Sequence, residues 1–437
     1  MLAGLSLKRR MWLLLFVLAI AGLQMFMKLG PWFFVGTGIF LALAVAYAAL
    51  TIGREYPHAP PSPGYRPFVT VIIPAHNEES VIAETVSQAF KLRYQKGKKR
   101  NFEVWVIDDR STDATGRVLE GLKKRYRSLN VLSRSHDAFP GKSAALNECL
   151  PLTKGEVILI LDADSHFPID LISQAIGYLS SDEVCGAQVA KRIANPETNM
   201  LCSRQADEYK VDISIQLRRD MVGGAVEFKG NGMFVKRSAI EAVGGWTIQT
   251  LTDDLDLSTK MLLAGYRIRF VNETSVWEQA APDLRGFFKQ RLRWIEGGMT
   301  RYLDYILRIL RGPIHPRLRF DMVLFLLQYA VPVYVVADLL SQFVWIFTLG
   351  YLRLGNLGLV MLATFVTFSA NLVAAYIREH RYNIWQITGR TFVTIIYMSL
   401  WFPLIVVATF NLILGLESRS WKKVQRVKAE DIVKTLT

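Results

Sequence analysis

The sequence predicts an α/β domain with a mostly parallel sheet, flanked by transmembrane helices at both ends. Between residues 68 and 166, short runs of β-branched residues alternate with amphipathic stretches of helical period. Continuous apolar strands separated by helices are typical of a parallel sheet covered on both faces. Long apolar runs precede and follow this region, and 437 residues, 51% of them hydrophobic, suffice for one soluble domain plus several membrane helices.

The amino-terminal part contains two apolar runs, 11–27 and 32–50, each close to the about 20 residues that cross a bilayer. Basic residues at 8–10 precede the first run, as they would in a signal peptide, but no small-residue cleavage site follows and the second run begins within a few residues. We therefore expect a helical hairpin over residues 1–56 with its amino end in the cytoplasm. The Pro-rich segment 57–67 is predicted to be a stiff linker.

Strands and helices alternate at the start of the soluble domain, which we place at residues 68–312. The predicted strands are 68–75, 102–109, 130–134 and 156–164, and the predicted helices between them are 79–92, 113–127 and 142–150. Ligands bind parallel sheets at the carboxyl ends of the strands, where this sequence has the polar groups His76-Asn77-Glu78, Asp108-Asp109 and Asp162-Ala163-Asp164. Such residues also form turns and helix caps, but three polar strand ends in one sheet favour a ligand site.

Apolar segments return after the soluble domain, at 321–349, 357–377 and 391–414. Basic clusters at 308–319, 378–381 and 419–426 should all lie on the cytoplasmic side. Two crossings between the first two clusters agree with this, but a single crossing at 391–414 would put the third cluster outside. Either 391–414 is a re-entrant hairpin broken near Pro403, or 321–349 crosses the bilayer differently from the single crossing assumed for it here. We assign 313–418 to the membrane region and 419–437 to a basic cytosolic tail, and the number of spans stays open.

Charge and cysteine content exclude several classes of protein. A net charge of +14 is compatible with nucleic-acid binding, but no nucleic-acid motif accompanies it, and basic residues beside apolar spans attract anionic lipid instead. We therefore expect a lipid bilayer and no nucleic acid as a partner. The chain has three cysteines, Cys149, Cys185 and Cys202, too few and too unevenly spaced for a disulfide framework or a zinc cage. Buried thiols on a reducing cytosolic face are the prediction.

Two acidic motifs and one basic-aromatic motif carry the chemistry. Asp162 and Asp164 are two residues apart at the end of a predicted strand, where their side chains would point the same way and could hold Mg²⁺ or Mn²⁺ against a diphosphate. Thr252-Asp253-Asp254 offers a base that could deprotonate a hydroxyl, although an acidic helix start explains it equally well.

The segment Gln290-Arg291-Leu292-Arg293-Trp294 combines a planar cation for phosphate oxygens with a flat apolar face for a sugar ring. An amphipathic interfacial helix with a membrane-facing Trp294 is the alternative. Arg291 and Arg293 beside the tryptophan favour a diphosphate site. Gly230-Asn231-Gly232 permits close backbone approach, so a ligand-facing loop and a plain tight turn both remain open.

These motifs together carry a family resemblance. The set PAHNE, IDDRSTD, GKSAALN, LDAD, GNGMFVKR, LTDDLDL and QRLRW resembles the family 2 inverting glycosyltransferases, in particular the membrane-bound branch that includes cellulose, chitin and hyaluronan synthases. The match extends over about residues 68–310. The resemblance implies a GT-A-like nucleotide-sugar-binding domain and a divalent cation, Mg²⁺ or alternatively Mn²⁺.

The resemblance also implies roles for individual residues. Positions that surround the nucleotide-sugar are matched by Ala75, Asn77, Glu78, Asp108, Asp109, Lys142, Asp162, Gln290, Arg293 and Trp294. The metal-site carboxylates are matched by Asp162, nearest the nucleotide, and Asp164. The catalytic base is matched by Asp254. Family members more often have Glu where Asp253 stands, so the assignment of the base lies between Asp254 and Asp253.

Within this branch, the chain resembles the cyanobacterial monoglucosyldiacylglycerol synthases in the segments 187–199, 229–237, 251–258, 290–305 and 327–340. This resemblance implies transfer of glucose from UDP-glucose to 1,2-diacylglycerol with inversion, by a multi-pass membrane protein with a cytosolic catalytic domain. A processive polysaccharide synthase is the alternative, although no appended regulatory domain or gating-loop motif is recognisable. A non-catalytic transporter or scaffold is a third interpretation, which intact carboxylates at all matching positions disfavour.

Overall fold

The computed structural model of the chain describes residues 7–28, 64–248, 250–349, short helical pieces between 369 and 377, and 382–416. The predicted span 32–50, most of the linker 57–67 and the basic tail 419–437 lie outside these residues. Most of the predicted span 357–377 lies outside them as well.

The described residues form nine strands in two sheets. The strands are β1 Val69–Ala75, β2 Gln95–Lys96, β3 Lys99–Arg100, β4 Phe102–Asp108, β5 Leu129–Ser133, β6 Val157–Ile160, β7 Val184–Ile193, β8 Met233–Lys236 and β9 Arg267–Glu278. A seven-stranded sheet has the order β5-β4-β1-β6-β8-β7-β9, and β2 pairs with β3 in a separate ribbon. In the large sheet only β8 runs against its neighbours, which confirms the predicted mostly parallel α/β fold.

Helices connect and cover the strands. They are α1 Leu7–Lys28, α2 Ile82–Phe90, α3 Thr115–Arg125, α4 Lys142–Cys149, α5 Leu171–Ala175, α6 Met200–Met221, α7 Arg237–Ala242, α8 Asp253–Leu263, α9 Leu284–Arg311, α10 Pro316–Leu349, α11 Ile384–Ser399 and α12 Trp401–Leu414. The three helices predicted between the first strands correspond to α2, α3 and α4. Their observed ends lie within a few residues of the prediction, as is usual for helix boundaries.

The sheet separates two hydrophobic cores because successive side chains of a strand point to opposite faces. On β6, Val157 and Leu159 belong to the core beneath α2, α3 and α5, whereas Ile158 and Ile160 belong to the core beneath α4, α6, α8 and α9. The three cysteines are buried free thiols, as predicted. The domain therefore has three layers, with the central strands covered on both faces.

One predicted strand is shorter than expected. The prediction was a strand over 156–164, but β6 ends at Ile160 and the following residues form a turn. Leu161 still donates a backbone hydrogen bond to Ile72 (3.0 Å), after which the backbone of Asp162 pairs with a side chain instead of a strand. The extended geometry expected for Asp162 and Asp164 is therefore wrong, and a turn positions both carboxylates.

Apolar helices lie on one side of this domain. In the described part of the chain, two helical stretches, Pro316–Thr348 and Ile384–Leu414, are long and apolar enough to cross a membrane. The second stretch includes α11 and α12, which meet at Leu400, three residues before Pro403. A break near Pro403 is what one of the two sequence interpretations requires. Helix α1, which contains the predicted span 11–27, packs against α9, α10 and α12.

A buried ion network joins the sheet domain to α10. Arg219 on α6 donates from Nε to Asp321 on α10 (2.8 Å) and lies 3.4 Å from Glu227. Arg301 on α9 contacts the other oxygen of Glu227 at 2.6 Å. Asp321 also accepts a hydrogen bond from the backbone of Ala225 (2.9 Å). Each of the four charged side chains is almost fully buried, so the first turns of α10 are part of the domain's interior.

Candidate active site

The first part of the site lies at the carboxyl ends of β1 and β4. These strands pair in parallel with Ala75 in register with Asp108, so both ends reach the same edge of the sheet. The next residue, Asp109, donates its backbone N–H to the Ala75 carbonyl (2.8 Å). Its carboxylate accepts hydrogen bonds from Arg134, Arg110 and the backbone of Gly141. We call these strand ends, with the loops that follow them, the nucleotide half.

Loops tie the rest of the nucleotide half together. Asn77 has a positive φ of 56°, and its Oδ1 accepts hydrogen bonds from the backbone of Thr112 (2.7 Å) and of Asp113 (3.3 Å). Glu78 is buried, and its backbone N–H donates to the Thr115 hydroxyl (2.8 Å). The residues predicted at 75, 77, 78, 108 and 109 are therefore brought together. Arg134 is an additional residue that sequence reasoning assigned only to a strand.

The second part of the site begins at the turn after β6. Lys142, at the first position of α4, donates to Asp162 Oδ1 (2.7 Å) and to the Gly230 carbonyl (3.1 Å). Burial alone would lower the pKa of Lys142, but the carboxylates of Asp162, Asp253 and Asp254 outweigh it and raise the pKa. A Cβ on Gly230 would lie 3.2 Å from Asp254 Oδ2, so the loop predicted at Gly230–Gly232 faces the site.

Asp162 and Asp164 fit a divalent cation that the substrate helps to hold. Both would offer hard oxygen ligands from a single turn, a ligand type that suits Mg²⁺ or Mn²⁺. Within the described ranges, no group of three or more His, Cys, Asp and Glu side chains could hold a metal ion by itself. The remaining ligands would therefore have to come from a bound diphosphate and water. The sequence prediction of these two residues as metal ligands remains a prediction.

Asp253 and Asp254 occupy the first turn of α8, so the acidic helix start expected from the sequence is also present. Burial and the neighbouring Asp253 raise the pKa of Asp254 to about 6. Asp254 Oδ1 accepts the backbone N–H of Leu255 (2.8 Å), which leaves Oδ2 on the side of Gly230. Asp253 Oδ2 is buried, and no hydrogen-bond partner is found for it among the described residues. The raised pKa of Asp254 favours proton uptake by this carboxylate, and Asp253 Oδ2 could accept a hydrogen bond from a hydroxyl.

Helix α9 packs very closely on the segment before these carboxylates. A Cβ on Gly297 would lie 2.3 Å from Thr252 Cγ2 and 2.7 Å from its hydroxyl, so only glycine permits this approach. Gly297 lies about one helical turn after Trp294. The contact fixes the start of α8 against the helix that carries the basic-aromatic motif. Sequence reasoning missed Gly297, because only the packing of two helices reveals its role.

The two arginines of the basic-aromatic motif have different roles. Arg293 is the guanidinium that faces the site: burial lowers its pKa, while Asp254, Asp253 and Asp162 act in the opposite direction. Arg291 is different, because its Nε and Nη2 bind both oxygens of the buried Glu208 (3.1 and 2.6 Å). The expectation that Arg291 helps to hold a diphosphate is therefore wrong.

Arg291 instead supports its neighbours in the motif. Its Nη1 donates to Gln290 Oε1 (2.6 Å), and its guanidinium lies 4.3 Å from the centroid of the Trp294 ring. A cation over an indole face is a favourable contact that fixes the ring. Gln290 and Trp294 are thus held by a buried arginine, which leaves Arg293 as the charge of the motif that interacts with Asp254, Asp253 and Asp162.

Lys191 is a further cation of the site that the sequence alone did not single out. Its Nζ contacts Glu278 (2.8 Å) and donates to the Lys229 carbonyl (2.9 Å). Burial would lower the pKa of Lys191, but Glu278, Asp162 and Asp254 raise it. Its position inside the segment 187–199 was the available signal. We call the set Lys142, Asp162, Asp164, Lys191, Asp253, Asp254 and Arg293 the transfer half.

Comparisons with known proteins agree with this arrangement. A family model described as "Glycosyltransferase like family 2" matches residues 66–297. Beta-monoglucosyldiacylglycerol synthases from Nostoc sp. and Synechocystis sp. are 38% and 39% identical over 69% and 66% of this chain, and the matches cover 64% and 61% of those proteins. The chain thus matches less than two thirds of the length of these relatives.

The fold also resembles that of solved structures. The mannosyltransferase PcManGT from Pyrobaculum calidifontis, in complex with GDP-Man and Mn²⁺, has a TM-score of 0.60 at 21% identity, and the match covers 92% of this chain and 100% of that chain. At this identity the likeness concerns the fold alone, which is GT-A-like. The apolar helices at the carboxyl-terminal side, together with the glycolipid-synthase relatives, indicate association with a membrane.

Proposed function

We propose, from the premise that the chain belongs to the glycosyltransferase-like family 2, that it transfers glucose from UDP-glucose to the free hydroxyl of 1,2-diacylglycerol. The product would be a β-linked monoglucosyl lipid. The observation that carries the proposal is the transfer half itself, in which carboxylates and cations from five separate segments converge beside a nucleotide half. The similarity to beta-monoglucosyldiacylglycerol synthases supports the choice of glucose and of a lipid acceptor.

In this proposal the nucleotide half binds the uridine. Asp109 and Asn77 are already held by their neighbours, so the backbone around them is fixed before the donor arrives. Preformed geometry limits the entropy lost on binding. Lys142 and Arg293, whose charges interact with Asp162, Asp253 and Asp254, would then pair with the negative charge of the diphosphate. Trp294 offers its ring face to the sugar.

A divalent cation completes the donor site. Asp162 and Asp164 would hold it, and Mg²⁺ is proposed over Mn²⁺, which accompanies GDP-Man in the mannosyltransferase of similar fold. When bound, such an ion neutralises negative charge on the leaving diphosphate.

The reaction is a single displacement with one base. Asp254 accepts the proton of the acceptor hydroxyl as its oxygen forms a bond to the anomeric carbon. The bond between that carbon and the diphosphate oxygen breaks in the same step, and UDP leaves with the electron pair. Lys142 and Arg293 stabilise the charge that develops there. Attack opposite the leaving group inverts the anomeric centre, so no enzyme nucleophile is required.

The membrane topology is part of the proposal. We propose a multi-pass protein whose catalytic domain lies in the cytosol, where UDP-sugars and reducing conditions are available. The three free thiols and the basic residues near the apolar segments support this orientation.

One assay tests the function directly. A host that lacks glucolipids would express the chain. Membranes purified from this host would then receive labelled UDP-glucose. We expect the label in chloroform-soluble monoglucosyldiacylglycerol with a β linkage, and we expect none with the Asp254→Asn variant. Label in insoluble polymer would indicate a polysaccharide synthase instead. Label in neither fraction, from a folded protein that binds UDP, would leave a non-catalytic role.

A further inference from the structure

A short segment joins the two acidic parts of the transfer half. Residues 228–231 lie just before β8, and we call them the bridge segment. One end of the bridge segment contacts α8, which begins with the two carboxylates at 253 and 254. The other end contacts residues 162–165, which present Asp162 and Asp164 and which we call the metal turn. The relative position of the base and the metal carboxylates therefore depends on this segment.

Asn231 holds the metal turn. Its Oδ1 accepts a hydrogen bond from the backbone N–H of Asp162 (3.2 Å) and another from the Ser165 hydroxyl (2.7 Å). The backbone N–H of Ser165 closes the turn on the Asp162 carbonyl (3.1 Å). Asn231 and Ser165 are both fully buried, so removal of the amide would leave two donors unsatisfied. One amide oxygen thus fixes both ends of the metal turn.

The bridge segment is itself fixed by the central sheet. Gln188 on β7 is fully buried, and its Nε2 donates to the Asn231 carbonyl (2.8 Å). Its Oε1 accepts the backbone N–H of Lys229 (2.8 Å). Directly after the segment, Gly232 donates its backbone N–H to the Ile160 carbonyl on β6 (2.9 Å). The position of Asn231 is therefore set by two strands before it contacts the metal turn.

The other end of the bridge segment is bound to the helix that carries the base. The backbone N–H of Phe228 donates to the Ser258 hydroxyl (2.7 Å), and this hydroxyl donates to the Asp254 carbonyl (2.7 Å). Ser258 is fully buried on α8. Between the two ends, Gly230 lies against the Asp254 carboxylate, since a Cβ there would be 3.2 Å from Oδ2. The segment therefore contacts the base through backbone and carboxylate.

The amide of Asn231 uses only its oxygen in these contacts. Its Nδ2 is buried, and the described part of the chain offers it no hydrogen-bond partner. A buried donor without a partner lowers the stability of the fold. The side chain therefore contributes through one acceptor that serves two donors, a task that a carboxyl oxygen of the same size could also perform.

We propose that Asn231 is a positioning residue for the divalent cation. It fixes the metal turn to the bridge segment and so sets the distance between the metal carboxylates and Asp254. This role rests on the proposed function, in which Asp162 and Asp164 hold the cation. Loss of a side chain that orients metal ligands typically weakens metal binding about 10- to 100-fold. Ser258 positions the base at the other end, so its loss should leave metal binding unchanged.

Manganese binding tests the role of Asn231 without an acceptor. The full chain in detergent receives UDP and Mn²⁺, and electron paramagnetic resonance measures the free Mn²⁺. Asn231→Ala should weaken Mn²⁺ binding at least about tenfold. Ser165→Ala removes one of the two hydrogen bonds and should cause a smaller loss. Asn231→Asp keeps an oxygen for both donors, whether the new carboxyl is ionised or protonated, and should bind Mn²⁺ almost normally.

Asn101→Ala provides the matched control. Asn101 is also buried, and its Nδ2 also makes two hydrogen bonds, to the carbonyls of Arg66 (3.0 Å) and Pro67 (2.9 Å). It precedes β4, at the edge of the sheet opposite the site. This variant should leave Mn²⁺ binding unchanged. Uridine affinity should be normal in every variant, which shows that each is folded.

Transfer rates separate the two ends of the bridge segment. Ser258→Ala should lower the single-turnover rate about tenfold, because the base shifts, with unchanged Mn²⁺ affinity. Asn231→Ala should lower both the rate and the Mn²⁺ affinity. A purely structural role would not produce this division, since general loosening of the site would change both quantities in both variants.

Several results would overturn the proposal. These are unchanged Mn²⁺ affinity in folded Asn231→Ala, an equal loss in Asn101→Ala, or no Mn²⁺ binding by the unmodified chain with UDP. If Asn231→Ala does not fold, the decision passes to the other two variants: full Mn²⁺ binding by Ser165→Ala, or a tenfold loss in Asn231→Asp, contradicts the role. If the unmodified chain transfers no glucose to diacylglycerol, the proposed function fails, and Mn²⁺ binding still decides the role of Asn231.

Discussion

The nucleotide half and the transfer half of the site differ in how their polar groups are satisfied. In the nucleotide half, Asp109 binds two arginines and a backbone N–H, and Asn77 binds the following loop. In the transfer half, Asp253 has a buried oxygen for which the described chain offers no hydrogen bond, and burial raises the pKa of Asp254 to about 6.

The difference separates binding from chemistry. Groups that only hold a ligand can be satisfied by the fold, because their task is to keep one geometry. Groups that accept a proton or stabilise developing charge must keep hydrogen-bonding positions that the fold does not satisfy. Such unsatisfied positions lower the stability of the folded protein. The contrast predicts that substitutions in the two halves will act on different measurable quantities, and three of the following five experiments compare the two halves directly.

The largest effect should come from removing the metal. Chelation is expected to abolish transfer, and Asp164→Ala should not regain activity with added Mg²⁺, because the ligand itself is lost. Binding of uridine, which has no phosphate, should survive chelation because the nucleotide half needs no cation. Isothermal titration calorimetry with uridine and with UDP distinguishes binding of the nucleoside from binding of the diphosphate through the metal. Full transfer after exhaustive chelation would remove the metal from the mechanism.

The next largest effect should come from the base. Asp254→Asn keeps shape and polarity but cannot accept a proton, so transfer should fall at least about a hundredfold. UDP-glucose affinity should hardly change, since the nucleotide half is untouched. Single-turnover kinetics measures the transfer rate, and a binding isotherm on the same sample measures the UDP-glucose affinity. If Asp253→Asn loses turnover while Asp254→Asn keeps it, the base is Asp253.

A smaller loss should follow from moving the base. Gly297→Ala introduces a methyl group 2.3 Å from Thr252 Cγ2, so α8 must shift, and transfer should fall about tenfold. Thr252→Ala in the same chain removes the clashing atoms and should restore part of the rate. A loss that Thr252→Ala does not reduce would show that the contact has another role.

Stability should change in opposite directions in the two halves. Because the pKa of Asp254 is raised to about 6, its stabilising contribution is present below about pH 4 and is lost as pH rises through 6. At pH 8, Asp254→Asn should therefore raise Tm by roughly 2–4 °C. Asp109→Asn should lower stability by roughly 3 kcal/mol, since it weakens a buried ion pair with Arg134. Thermal unfolding in detergent at pH 8 and pH 4 tests both signs, and destabilisation by both variants would refute the contrast.

The smallest effect concerns the pH profile. Transfer should fall as pH drops through about 6, because Asp254 must be ionised to act as a base. The charge of Lys191 lowers the pKa of Asp254, so Lys191→Met should move this acid limb upward by a fraction of a pH unit. Lys229→Met is the matched control, since Lys229 pairs with Asp212 and Glu227 instead. Equal shifts in both variants would show a general charge effect.

Local signals in the sequence predicted the fold well. The strands 68–75, 102–109 and 130–134 correspond to β1, β4 and β5 because runs of buried β-branched residues are a short-range pattern. The residues of the nucleotide half follow these strands directly, so their convergence could also be predicted from the parallel topology.

Features that depend on packing between distant segments could not be predicted. The family resemblance selects Arg293 for the site, but the residues alone did not show that Glu208 from α6 makes Arg291 structural. The close approach of Gly297 to Thr252 requires two helices to be placed first. The segment 391–414 is a single apolar run in the sequence, and the structure shows through the contact of Arg204 with Thr394 that its beginning lies on the catalytic domain.

The ion pair between Arg219 and Asp321 determines what proteolysis can release. A cut after Gly312 would leave Arg219 and Glu227 in the catalytic fragment and remove Asp321 with α10. Loss of one partner from a buried pair costs about 3–5 kcal/mol, which is comparable with the whole stability of many domains. Ile314, Leu318 and Met322 would be removed from the core as well. A protease that severs the chain at this point should therefore inactivate the catalytic fragment instead of shedding an active enzyme into solution.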